Sequence, residues 1–169
     1  MHYGMLIYCT SLMDTNSTMK KTLLLISLFL LNLTSFAQSK NTDEGQIKDL
    51  INNCFNEMWS ELDSGKILKF HTTDFLLLEN GVVWTNDSIS NNFTTTLLRE
   101  KVIPKRSNKI TLIDTKISNG MACVAYHNYA VWAIGEKIYG KAHWLESAIA
   151  IKTDNGWKIQ MLHSTRVKD

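Results

Sequence analysis

Proline is almost absent from these 169 residues, with Pro104 standing alone, so no proline-rich linker divides the chain. Net charge is scarce as well: 18 Lys+Arg face 16 Asp+Glu, a formal balance of +2. Without a clustered basic stripe, that balance argues against a nucleic-acid partner. Charged residues at 20% are also too few for a disordered polyelectrolyte. No glycine-rich phosphate loop and no H-E-x-x-H, C-x-x-C or G-x-S-x-G pattern occurs. Their absence removes the common signatures of nucleotide binding, zinc proteolysis, dithiol redox and serine hydrolysis. A hydrophobic content of 44% is present, enough for the core of one domain of this length.

The one strongly apolar run, residues 23–31, is too short to cross a bilayer, which takes about 20 residues. It follows Met19-Lys20-Lys21 and precedes Ser35-Phe36-Ala37-Gln38. A basic start, a short apolar stretch and small residues before the break describe a secretory signal peptide over 19–37, cleaved after Ala37. Residues 1–18 carry no Lys or Arg and are expected to be a start-site extension. The domain is then 38–169, exported to a periplasm or secreted, with no membrane attachment after cleavage. Cys54 and Cys123 remain in it, and both read as small apolar packers rather than as disulfide partners.

Between Asp43 and Ser64, apolar residues fall at Ile47, Leu50, Ile51, Cys54, Phe55, Met58 and Leu62. This spacing predicts an amphipathic helix, capped at Asp43 and stopped by Gly65. A short helical piece over 66–71 leads to a strand over 75–79 and, through Asn80-Gly81, to Val82-Val83-Trp84. Asp87 is placed to cap a helix carrying Ile89, Phe93 and Leu97. Beyond Lys109 the period becomes two, with strands over 109–117, 121–134, 138–152 and 157–167. Helices first and an antiparallel meander last give an α+β class, with N-terminal helices packed on the concave face of a curved antiparallel sheet.

Alternation along the last strand groups Trp157, Ile159, Met161 and His163. Taken as the inner face and carried across each hairpin, this set places Glu146 opposite His163. It also places His127 beside Trp144 and Asp114 beside Ala125. Ile110, Leu112, Val131, Ala142, Ala148 and Ala150 complete an apolar wall, with Tyr129 and Trp144 on it. An odd slip in any pairing would reverse a strand's face. A carboxylate and two imidazoles on a greasy wall are costly in a closed core and suit a ligand cavity. Each also has a plainer role: His163 bonding to the first helix, Glu146 paired with His163, His127 satisfied in the core, Asp114 solvated near a turn. The spacing fits no dedicated metal-ligand motif, so no metal or cofactor is expected.

The motifs Thr73-Asp74-Phe75, Asn80-Gly81 and Gly156-Trp157-Lys158-Ile159 with His163-Ser164 resemble the nuclear transport factor 2-like superfamily, in particular small exported members grouped with SnoaL-like and ketosteroid-isomerase-like proteins. The resemblance implies a cone-like fold, often dimeric through the outer sheet face. In the steroid-isomerase branch a carboxylate base ends the first strand, where Glu79 stands. An acidic oxyanion partner lies on a meander strand, nearest to Asp114. The branch places a tyrosine on its first helix, where this chain offers Trp59. Candidate catalytic residues are therefore Glu146, His163, Glu79 and Asp114. The candidate pocket comprises Trp59, His127, Tyr129, Trp144, Met161 and Trp157. Three readings stay open: a binder of a small apolar or carbonyl-bearing molecule, an isomerase, dehydratase or cyclase working by proton abstraction, and a dimeric interaction module.

Overall fold

A computed structural model describes residues 43–168. The expected start-site extension, the signal peptide with its cleavage point, and the first residues of the domain lie outside the described residues. Those described fall within one compact unit, Thr42–Asp169.

The first helix, α1, is α-helical over residues 43–53 and continues as a π-helix through Cys54–Trp59. Its wide turn is closed by Ser60 N–H donating to the Phe55 carbonyl at 2.9 Å. A π turn inserts one residue into the helical repeat and so re-aims the side chains after it. Cys54, Phe55 and Met58 are thereby all buried. The stop differs from expectation. Leu62 takes the left-handed conformation (φ 52°), and Gly65 instead sits in a 3-10 turn, Ser64–Lys66, capped by Asp63 Oδ1.

A single helical turn, α2 (Ile67–Phe70), leads into β1 (His71–Glu79), which begins four residues before the predicted start at Phe75. Asn80 and Gly81 both have positive φ, as a tight two-residue hairpin requires, and pass the chain to β2 (Val82–Thr85). Helix α3 (Asn86–Arg99) is capped by Thr85 in a reciprocal box with Ser88, not by Asp87. It buries Ile89 and Phe93, whereas Leu97, expected inside, is 48% exposed.

The meander is β3 (Lys105–Ser118), β4 (Met121–Ile134), β5 (Lys137–Thr153) and β6 (Gly156–Arg166). The six strands form one curved sheet in the order β2-β1-β6-β5-β4-β3, with helices packed against it. The expected sheet was wholly antiparallel; β1 pairs with β6 in parallel and the other pairings are antiparallel.

Three β-bulges decide which side chains face the helices. Gln160 is an extra residue in β6, because Ala150 faces Ile159 while Ile149 faces Met161. Tyr139 is extra in β5, where Trp132 faces Gly140 and Ala133 faces Ile138. Ile113 is extra in β3, between the pairs Leu112–Tyr126 and Asp114–Ala125. Each bulge shifts its pairing by one and exchanges the two faces beyond it.

The expected face is therefore corrected on three strands. Past Gln160, Leu162 and Ser164 turn inward and His163 is exposed, with Met161 on its side. On β4, Tyr126, Asn128 and Ala130 are buried, while His127, Tyr129 and Val131 point outward. Asp114 is exposed and pairs with Lys116 at 3.6 Å on the surface. Strand β5 keeps its expected face, with Ala142, Glu146, Ala148 and Ala150 buried and Trp144 beside them.

Candidate functional site

Between the C-terminal half of α1 and the sheet lies a cavity of about 70 Å³ that opens to solvent. Its apolar walls are Phe55 and Trp59 from the π turn, Leu77 from β1, Trp144 from β5 and Leu162 from β6. Phe55 and Trp59 are four apart in a π-helical segment, which brings both rings to one side. The polar lining is Glu79, Glu146, Ser164 and Arg106. Of the sequence candidates, Glu146, Glu79, Trp59 and Trp144 meet here. Trp157 is buried elsewhere in the core, its Nε1 donating to Asp43 Oδ1 at 3.2 Å.

Glu79, Ser164 and Glu146 occupy one row across three adjacent strands, since Glu79 pairs with Ser164 and Ser164 with Glu146. Ser164 Oγ lies 2.9 Å from Glu146 Oε1 and 3.4 Å from Glu79 Oε1. Asn128 Nδ2 donates to Glu146 Oε2 at 3.2 Å. Glu146 is 5% exposed. Burial pushes its carboxyl up from 4.5 to about 7, against the pull of the Ser164 and Asn128 hydrogen bonds and the Arg106 charge. Near neutral pH it is thus poised to give or take a proton.

Arg106 stands opposite. Its guanidinium lies 5.2 Å from the Trp132 ring centroid, 5.5 Å from Trp144 and 6.0 Å from Phe55, a cage suited to a delocalised cation. Burial lowers its pKa to about 10, opposed by Glu146 and Glu79, so it keeps its charge at pH 7. No ion pair within 4.0 Å joins it to either carboxylate among the described residues. Its Nε donates instead to Asn108 Oδ1 at 3.1 Å. Asn108 Nδ2 in turn donates to the Phe55 carbonyl and to Ser60 Oγ, which pins the π turn over the cavity. The indole N–H of Trp59 is closed off from solvent, near the buried Cys54 thiol.

Sequence reasoning missed Arg106, Ser164 and Asn128. Arg106 reads as part of a solvated basic loop, yet it shares parity with Ile110 and Leu112, a signal that β3 starts earlier than Lys109. Ser164 carried only a faint signal: Leu162, apolar and out of phase with Trp157 and Ile159, marks the change of face that the Gln160 bulge imposes. The candidates that the bulges displace lie on the outer face. There the His127 and His143 rings share a 2.9 Å hydrogen bond and Tyr129 stacks on His143 at 4.2 Å.

A second polar cluster sits in the core. His71 is fully buried, stacked on Phe75 at 3.6 Å, with Asn86 Oδ1 at 3.0 Å from Nδ1 and Cys54 Sγ at 3.6 Å from Nε2. Asn86 Nδ2 donates to the Thr72 carbonyl, so its oxygen faces the ring and the ring proton sits on Nδ1. Burial lowers the His71 pKa to about 4 and pushes the Cys54 thiol well up. A neutral thiol closed off from solvent is no nucleophile. This chain of bonds ties α1, β1 and α3 together.

No family model and no curated protein matches the sequence. Solved structures do. A protein from Novosphingobium aromaticivorans described as NTF2-like with a cystatin-like fold superposes with a TM-score of 0.65 at 12% identity, over 82% of this chain and 90% of that one. The fold is that of the nuclear transport factor 2-like proteins. A Salmonella enterica member of that superfamily aligns at TM-score 0.61 and 15% identity, covering 77% of this chain and 94% of its own. A Nostoc punctiforme protein of unknown function with a cystatin-like fold gives 0.60 at 13% identity, over 76% and 93%. At such identities the likeness concerns the nuclear transport factor 2-like fold alone.

Proposed function

We propose that this chain is an exported protein that holds a small carbonyl-bearing molecule in its cone and exchanges a proton with it through Glu146. The observation that carries the reading is a buried carboxyl, poised near neutrality, on the wall of an accessible cavity. Export rests on the basic start, apolar stretch and small-residue break over 19–37. Each water-sized atom takes about 10–15 Å³ of such a cavity, so roughly five heavy atoms of a ligand fit inside. The rest of a larger molecule would extend through the mouth.

In this reading a ligand carbonyl oxygen lies toward the Arg106 guanidinium, and its apolar part rests on Leu77 and Leu162. Ionised Glu146 removes a proton from the carbon next to the carbonyl. The electron pair of the broken C–H bond moves onto the carbonyl oxygen as an enolate, favoured by the Arg106 charge. Glu146, now protonated, returns the proton to the same or another carbon. The alternative is binding without proton exchange.

Both are tested together. Thermal shift against small ketones, aldehydes and enones identifies a ligand, and NMR in deuterium oxide follows exchange of its carbon-bound hydrogens. Stabilisation with exchange that Glu146→Gln abolishes while binding persists is expected. Binding without exchange in the wild type leaves a carrier, and no stabilising compound removes the pocket reading.

A further inference from the structure

We infer that Ser164 relays a single proton between Glu146 in the cavity wall and the half-buried Glu79. The relay gives a role to the site proposed above and rests on that reading for its use, but its geometry is independent of any ligand. A serine hydroxyl has one proton to donate. With Ser164 Oγ at 2.9 Å from one carboxyl and 3.4 Å from the other, it cannot donate to both. If both carboxyls are ionised, one of them confronts a lone pair on the hydroxyl, next to a second negative charge in a poorly solvated site. If one carboxyl is protonated, every contact is a hydrogen bond: the acid donates to Ser164 Oγ, and Ser164 donates to the carboxylate on its other side.

The two ways of arranging this place the proton on Glu146, the more deeply buried of the two, or on Glu79. As Glu146 gives its proton to Ser164 Oγ, Ser164 gives its own to Glu79. One O–H bond breaks and one forms at the serine, which ends neutral, and one proton has crossed the row. The other groups facing Glu146 do not compete for this path. Arg106 from β3 attracts both carboxylates without a direct bond, Asn128 from β4 engages Oε2 rather than Oε1, and Cys54 from α1 holds its proton firmly. The buried Tyr126 hydroxyl, also from β4, faces the Glu146 carboxyl as a further donor; burial keeps it protonated, so it takes no proton from the row. Glu146, Ser164 and Glu79 therefore form a row that can return Glu146 to either protonation state between turnovers.

A double-mutant cycle on the apo protein tests this by the Glu146 titration midpoint, read by NMR from carboxyl-¹³C glutamate. With Ser164 present, Glu79→Gln is expected to lower the midpoint by more than about one pH unit, the scale at which two sites titrate as a pair. The amide it introduces can donate its N–H to Ser164 Oγ, which leaves the serine proton to stabilise ionised Glu146. In the Ser164→Ala background the same substitution should shift the midpoint by less than half as much. Ser164→Thr, which keeps a hydroxyl, should restore the full shift. Equal shifts in the serine and alanine backgrounds would mean simple charge repulsion and would overturn the relay, as would no shift in either. A negative cycle beside a bound ligand removes the relay alone, and a positive cycle without any ligand leaves the relay and removes the pocket's proposed use.

Discussion

The folded state should show almost no pH dependence of stability between about pH 4 and 7, because two buried groups oppose one another. Glu146 has its pKa raised by burial from 4.5 to about 7, so the folded state holds a proton that the unfolded state releases. Its contribution is fully present below pH 4.5 and is lost as pH rises through 7. His71 has its pKa lowered by burial from 6.5 to about 4, so here the unfolded state takes up the proton. Its contribution is present above pH 6.5 and is lost as pH falls through 4. At about 1.4 kcal/mol per pH unit, each group alone would move stability by about 3 kcal/mol. Their windows overlap almost completely, and the sum should stay within about 1 kcal/mol, with a shallow maximum near pH 5.5. Asp43 and Asp74, whose hydrogen bonds lower their pKa values, act only at more acidic pH.

Glu146→Gln removes one side of the balance. Stability measured by urea denaturation at pH 4, 5, 6 and 7 should then rise with pH by about 3 kcal/mol, the His71 slope alone. The wild type, measured in parallel, should stay flat. A variant profile as flat as the wild type would refute the opposition, and a wild type that climbs steadily would show that Glu146 is ionised in the fold throughout.

Asn108→Ala should lower stability by about 2 kcal/mol, since Arg106 Nε loses its acceptor and the Phe55 carbonyl and Ser60 hydroxyl each lose one of their hydrogen bonds, and should speed amide exchange in Cys54–Trp59 more than in the meander. A uniform change in exchange would count against a local pin. Of the two domain cysteines, Cys123 is exposed and Cys54 buried, and neither is bonded to the other. A thiol reagent should label Cys123 in the native protein and Cys54 only after denaturation, as mass mapping would show; equal native labelling would contradict the burial of α1.

The elements were legible where one local rule governs several residues. The 3.6 period of Ile47, Leu50, Ile51 and Cys54 marks α1, and Asn80-Gly81 and Asn119-Gly120 both turn with positive φ as their chemistry demands. The site was legible only through β5 and the ends of α1 and β1, which gave Glu146, Trp144, Trp59 and Glu79. Parity carried across hairpins failed because a bulge shifts the phase of the alternation with little to mark it, here adjacent apolar residues such as Leu112-Ile113 and Met161-Leu162. Ile110 and Leu112 face inward as expected only because two errors cancel: the Tyr139 bulge reverses β4, and the Ile113 bulge reverses β3 back. His127, Tyr129 and Asp114 lie between those bulges and stay reversed.

The same kind of slip sets the chemistry of the site. Were β6 regular through residue 160, His163 would stand opposite Glu146, and an imidazolium beside it would favour the carboxylate and lower its pKa. The extra residue, Gln160, is held by its side-chain bond to Asp74 at 3.0 Å and puts Ser164 in that place. A hydroxyl offers one neutral hydrogen bond and no charge, too little to offset the desolvation of Glu146, and the carboxyl stays near neutrality. The misplacement of His163 on the sequence and the raised pKa of Glu146 thus have one cause. A carboxyl useful for moving protons at neutral pH needs a partner this weak, and the bulge supplies it.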